Sequence, residues 1–173
     1  MAYAESTVVP VEKSRAEIEQ LLQRHKCQKF LAGVDNDAHK ATVQFQANNR
    51  IIRFVLDLPD PRDPAHKRIK NSYLQRSASG VTKLVEQLTR SRWRALLLVI
   101  KAKLESVESG IATFEEEFMA QIVLPNDETV GQWVLPEVAR IYETGRMPTN
   151  RQLESGAVVV EAERLETVTG PER

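Results

Sequence analysis

Along the chain, apolar positions first recur at helical spacing, then alternate, then return to helical spacing. Residues 1–13 read as extended, because Pro10 argues against an early helix. Ser14-Arg-Ala-Glu17 has the form of a capping box. Ile18, Leu21, Leu22 and His25 follow on one helical face, which predicts a short helix to about Lys26. Three strand-like stretches come next: Gln28 to Val34, Ala41 to Gln46 and Arg50 to Leu58. Val43 and Phe45 share one face of the second, and Ile52, Phe54, Leu56 and Leu58 share one face of the third. The opposite faces are polar or mixed. Asp35 to His39 and Asn48-Asn49 are the turns, since asparagine tolerates the positive φ that a two-residue hairpin needs. The pattern predicts an antiparallel meander with one face on the core.

The proline-rich run Pro59 to Pro64 ends the third strand, and the basic stretch that follows to about Ser79 reads as a mobile loop. A long helix is predicted from about Gly80 to Ser109, with Gly110 as its stop. Thr113-Phe-Glu-Glu116 is a second capping box, opening a short helix to about Gln121. Ile122 to Pro125 reads as extended, closed by a turn at Asn126-Asp127-Glu128. Thr129-Val-Gly-Gln132 is a third capping box. It opens a helix through Trp133, Leu135, Val138, Ile141 and Tyr142 that is interrupted or restarted at Pro136 and ended by Gly145. The expected fold class is α+β: an N-terminal helix, a three-stranded antiparallel meander, a long central helix and shorter C-terminal helices. Residues 1–148 would form one domain, with the mobile basic loop at 62–79, and 149–173 would be a disordered acidic tail.

Composition narrows the class without naming a function. The 173 residues are 42% hydrophobic and 28% charged, ordinary for a soluble globular chain. Cys27 is the lone cysteine, so no internal disulfide is possible and a reducing compartment fits. The longest apolar run, Ala95 to Ile100, is far short of a membrane span, and the N-terminus lacks the pattern of a secretion signal. A cytoplasmic protein with no membrane partner is expected. Net charge is zero, but it is segregated. Residues 62–103 hold eleven Lys/Arg against Asp63 and Glu86, whereas residues 104–173 hold fourteen acids against five arginines. Either the two regions neutralise one another, within a fold or across an oligomer, or the basic one is a binding surface.

The central helix sharpens that alternative. At about 100° per residue, Lys83, Arg90, Arg94 and Lys101 fall in one stripe. Trp93, Leu96, Ile100, Leu104 and Val107 form the adjoining apolar face, and residues 95–100 are apolar almost all round, as in a helix buried centrally or pinned between partners. Arg92 and Lys103 lie off the stripe. The stripe and the loop residues Lys67, Arg68, Lys70 and Arg76 could together track a phosphate backbone. A solvated helix face would look the same.

Catalytic chemistry finds no support. His25, His39 and His66 are dispersed and, with Cys27, make no metal-ligand spacing. Asp35-Asn-Asp37 begins like a calcium loop, but Lys40 and Gln46 stand where a glycine and a glutamate are needed. Asp57, Asp60 and Asp63 are not followed by the lysine of a metal-dependent nuclease signature. Phosphate-binding, dinucleotide-binding and nucleophile-elbow motifs are absent from the sequence. A non-enzyme without metal or cofactor is expected.

The run Ile51-Ile-Arg-Phe-Val-Leu-Asp-Leu-Pro-Asp60, with Arg92-Trp-Arg-Ala-Leu96, Ile100-Lys-Ala-Lys103, Phe114-Glu-Glu-Glu-Phe118 and Ile122-Val-Leu-Pro125, resembles small uncharacterised accessory proteins of tailed-phage and prophage genomes. The resemblance covers about residues 5–148. It implies a phage accessory protein in the host cytoplasm and no defined activity. In order of elements alone the chain is similar to the double-stranded-RNA-binding domain. That family places a lysine cluster at the start of its second helix, where this chain reads Ser79-Gly-Val-Thr-Lys83, a departure that speaks against RNA-duplex binding. Two functions follow as expectations. One is contact with DNA or RNA through Lys67, Arg68, Lys70, Arg76, Lys83, Arg90, Arg94 and Lys101, in replication, recombination or repair. The other is a protein-binding module that self-associates or blocks a host defence or transcription protein.

Overall fold

A computed structural model describes residues 4, 6–69 and 73–147. Lys70 and the expected tail, 149–173, lie outside the described residues. Residues to Glu137 form one compact unit, and a second unit begins at Val138, inside the last helix.

Helix α1 (Val11–Arg24) starts three residues earlier than its sequence suggests. Pro10 does not prevent it. With φ −58° it is the N-cap residue, and its carbonyl accepts the first helical bond from Ser14 N at 3.2 Å. Ser14 is therefore one turn inside the helix, fully buried, and the capping box expected at Ser14–Glu17 does not form. Its Oγ has no hydrogen-bond partner among the described residues.

The sheet follows in the order β1-β2-β3, from β1 (Gln28–Asp35), β2 (Lys40–Ala47) and β3 (Arg50–Asp57), all antiparallel. Asn48 and Asn49, with φ 46° and 58°, make the two-residue turn that pairs Ala47 with Arg50. Asp35 Oδ1 accepts from the amides of Asp37 and Ala38 at 3.0 and 2.9 Å, so Asp35–His39 is a side-chain-held turn. The open edge of β1 is blunted: Lys29 (φ 52°) breaks the register between Gln28 and Leu31, and Arg15 donates to the outward carbonyl of Ala32 at 3.1 Å. The edge of β3 is partly covered, because Val123 N donates to Ile51 O at 2.8 Å and Ile122 bridges Ile52.

After β3, residues expected as loop carry one helical turn, α2 (Pro64–Lys67), capped by Asp63. The long helix α3 (Ala78–Glu108) is capped by Ser77 Oγ, which accepts from Gly80 N. Helix α4 (Phe114–Phe118) has the expected capping box, Thr113 with Glu116, and runs into a 3-10 turn at Met119–Gln121. The last helix, α5 (Val130–Thr144), is capped reciprocally by Thr129 and Gln132. It passes through Pro136 without restarting and ends at Gly145 (φ 65°).

One face of the sheet is covered by α1 and α3. Ile18 and Leu22 of α1 and Trp93, Leu96, Ile100 and Leu104 of α3 bury against Ala41, Val43, Phe45, Ile52 and Phe54. Phe118 closes one end, edge-on to Phe45 and Phe54 with centroids at 6.0 and 6.3 Å and stacked on Phe114 at 4.6 Å. Among the described residues no helix is long and apolar enough to cross a membrane.

Two substitutions test this packing by urea unfolding. Trp93→Ala is expected to cost about 3–5 kcal/mol, the range for emptying a buried aromatic site. Ser14→Ala is expected to stabilise the protein by about 1 kcal/mol, because it removes a buried hydroxyl that no group accepts or donates to.

Candidate interaction surfaces

Two of the four cations in the basic stripe of α3, Arg90 and Arg94, do not face open solvent. Helix α1 packs alongside α3, and the stripe lies at their junction. Arg94 donates to Glu17 of α1 at 2.5 Å. Arg90 is half-buried; it donates to Gln87 at 2.7 Å and lies 3.9 Å from Glu86. Gln87 in turn donates to the carbonyl of Thr7, holding the N-terminal segment against the helix. Only Lys83 and Lys101 of the four stripe cations are exposed. The cause is the packing of the two helices. A three-stranded sheet leaves room for two helices side by side, and the flank of α3 that carries the arginines is the one α1 occupies.

The loop cations divide in the same way. Arg76 donates to the carbonyls of His66 and Arg68, and a bridge joins Arg68 to Gln75, so Arg76 organises the segment. His66 Nδ1 sits 2.8 Å from the carbonyl of Asp60. Lys67 and Arg68 remain exposed on and just after α2, which packs against α3. Lys67, Arg68, Lys83 and Lys101 make no ion pair among the described residues.

A groove of about 330 Å³ between α1 and α3 brings Arg94 and Lys101 beside Arg24, with Glu17, Gln20, Leu21, Leu97 and Leu98. Arg24 was not picked out from the sequence. The signal was present: Glu17, Gln20, Leu21 and Arg24 recur at i, i+3, i+4 and i+7 and so share one face of α1. With Arg94 occupied by Glu17, the groove is a mixed polar seam.

Two faces of the first unit are open and partly apolar. On the outer face of the sheet Leu31, Ile51 and Val55 are 63%, 42% and 49% exposed. Arg53 crosses that face and donates to Gln44 of β2 at 3.2 Å and, at 2.5 Å, to Asp127 of the 122–129 turn. The other open face is the outer side of α3. Ala95, Val99 and Ala102 are exposed, with Leu84, Leu88 and Leu98 half-buried beside them. Of residues 95–100, expected to be buried centrally or pinned between partners, Leu96, Leu97 and Ile100 are buried within this unit. The sheet covers one side of the helix, and among the described residues of this unit nothing seals the other.

Titrating groups do not assemble into a reactive cluster. His39 lies 3.3 Å from Asp60 and His25 3.8 Å from Glu108, in separate places. Burial pushes the Cys27 thiol up from its ordinary value, which lowers its reactivity. Among the described residues no group of three or more His, Cys, Asp or Glu is placed to hold a metal. Comparison adds no identity: neither a protein-family model, nor a curated protein, nor a solved structure matches the chain.

Asp127 offers a pH test. Its hydrogen bond from Arg53, and then the charge of that guanidinium, hold the carboxylate below its usual range. A lowered folded value stabilises the protein above the unfolded value and is lost as pH falls through the folded one. Asp127→Asn is therefore expected to lower the urea midpoint slightly at pH 7, and the difference from wild type should shrink as the pH falls through the lowered folded value.

Proposed function

We propose that the protein is a non-catalytic binding module that works by protein–protein contact through the outer side of α3. The observation that carries this reading is the exposure of Ala95, Val99 and Ala102 on a helix whose opposite side is the centre of the core. An open apolar face on a folded unit is the usual mark of an interaction surface. The resemblance over residues 5–148 supplies the setting we propose, a tailed-phage accessory protein in the host cytoplasm. Its partner there would be a host protein or another copy of the chain.

A second reading, contact with DNA or RNA, is favoured by one observation. Lys67, Arg68 and Lys83 are exposed and free of ion pairs among the described residues, on two helices that pack together. Of the eight residues expected from the sequence, Arg76, Arg90 and Arg94 have intramolecular acceptors, Lys101 lies in the mixed seam and Lys70 lies outside the described residues, which leaves this group. Three cations make a modest phosphate contact.

The two readings separate in one comparison of variants. Val99→Glu is expected to abolish binding to a protein partner, while the triple charge reversal Lys67→Glu/Arg68→Glu/Lys83→Glu leaves it intact. Fluorescence anisotropy with labelled single-stranded and duplex DNA and RNA, at about 50 and 200 mM salt, supplies the counter-test. Tight, steeply salt-dependent binding that the triple reversal removes and Val99→Glu spares would sink the protein-contact reading.

A further inference from the structure

From residue 62 to residue 83 the chain carries six Lys/Arg against a single acid, Asp63, whose carboxylate caps α2. The two arms of this segment are tied together at their base. Arg68 bridges Gln75, Arg76 N donates to the carbonyl of Lys67 at 2.8 Å, and the Arg76 guanidinium donates to the carbonyls of His66 and Arg68. Two residues before Gln75, Tyr73 is 108% exposed, the most exposed large hydrophobic side chain among the described residues. Lys67 and Arg68 lie on the opposite arm, and Lys83 follows in the second turn of α3, against which α2 packs. Glu86, the next acid along the chain after Asp63, lies 3.9 Å from Arg90. We infer that this segment holds single-stranded nucleic acid, the Tyr73 ring stacking on an unpaired base while Lys67, Arg68 and Lys83 take neighbouring phosphates. This contact rests on the second reading above, and it leaves the outer side of α3 to a protein partner.

The combination of an exposed ring with cations free of ion pairs is what a single strand requires. Every base has a π-face, and in a single strand that face is open to an aromatic side chain. In a duplex the bases already stack on one another, so only the phosphate attraction would remain. An anionic membrane would attract the same cations, but one ring offers little apolar surface to insert, and firm anchoring takes more. An acidic peptide helix would set its apolar anchors into a groove, whereas Tyr73 stands clear of its surroundings. The tie between 67–68 and 75–76 sets the spacing of the arms before a strand arrives, which lowers the ordering cost of binding. Three phosphate contacts also fix the dependence on salt. For a single strand, log affinity falls against log salt with a slope of about −0.7 per contact, hence about −2 here.

The experiment is fluorescence anisotropy of the full-length protein with a labelled oligothymidine of about 16 nucleotides and with a duplex of the same length. Flotation with vesicles of equal parts phosphatidylcholine and phosphatidylserine runs beside it. The single strand is expected to bind in the micromolar range at about 50 mM salt and about twentyfold more weakly at about 200 mM. Tyr73→Ala is expected to weaken this binding by about tenfold with the salt slope unchanged, and Tyr73→Phe to keep the wild-type affinity, because the ring does the stacking. The duplex should bind more weakly and be indifferent to Tyr73→Ala. Since Tyr73 is exposed, both variants should keep the circular dichroism spectrum. Wild-type affinity in Tyr73→Ala, with binding still removed by the triple reversal Lys67→Glu/Arg68→Glu/Lys83→Glu, would overturn the stacking contact and leave the nucleic-acid reading standing. No binding of either nucleic acid at low salt would overturn both. Vesicle binding that Tyr73→Ala weakens, without oligonucleotide binding, would assign the segment to a membrane surface and overturn both as well.

Discussion

Everything in the first unit is arranged around the burial of one side of α3 against one face of the sheet. Trp93, Leu96, Ile100 and Leu104 meet Val43, Phe45 and Ile52, and each other element closes part of the perimeter. Helix α1 seals one flank with Ile18 and Leu22. Phe118 seals the end, wedged among Phe45, Phe54 and Phe114, while Lys103 reaches over its ring at 5.5 Å and donates to the carbonyl of Glu117. Removing the α3 contact would leave α1 alone over the inner face of the sheet and expose much of Val43, Phe45 and Ile52 to water.

That arrangement uses up only part of α3. A helix presents a full circle of positions, and a narrow sheet with one flanking helix covers little more than half of it. The arginines that looked like a binding stripe lie on the flank shared with α1, where Arg94 and Glu17 meet and the stems cover apolar surface. The apolar positions that looked like core lie on the far side, where Val99 is 46% exposed. The same geometric fact thus moves the candidate site from charge to apolar surface. It also accounts for part of the charge segregation. Some basic residues of 62–103 pair with nearby acids, as Arg94 does with Glu17, and others cap backbone carbonyls, as Arg76 and Arg92 do.

Much of the secondary structure was legible in the chain because its signals are local. Asn48-Asn49 demands a hairpin of a definite type, Thr113 and Glu116 cap one another within a single turn, and alternation in β2 and β3 needs no knowledge of what covers it. The structure departs from these local signals where one residue has two local roles. Pro10 excludes a helical interior and equally suits a helix start, and Ser14 has the form of a cap while the helix begins one turn earlier. Arg24 was missed because its meaning depends on α3, which is distant in sequence.

Periodicity, turn chemistry and caps, all read within a few residues, determined that this chain is α+β, with a meander between an N-terminal helix and a long central one. Only the tertiary structure decided which side of the central helix is inside. A helical wheel gives the angles between side chains but not the direction of the sheet. Here the sheet and α1 together enclose Trp93 and the arginine flank, and they leave Ala95, Val99 and Ala102 facing outward. The physical reason is that burial is a relation between elements, while spacing belongs to one element alone.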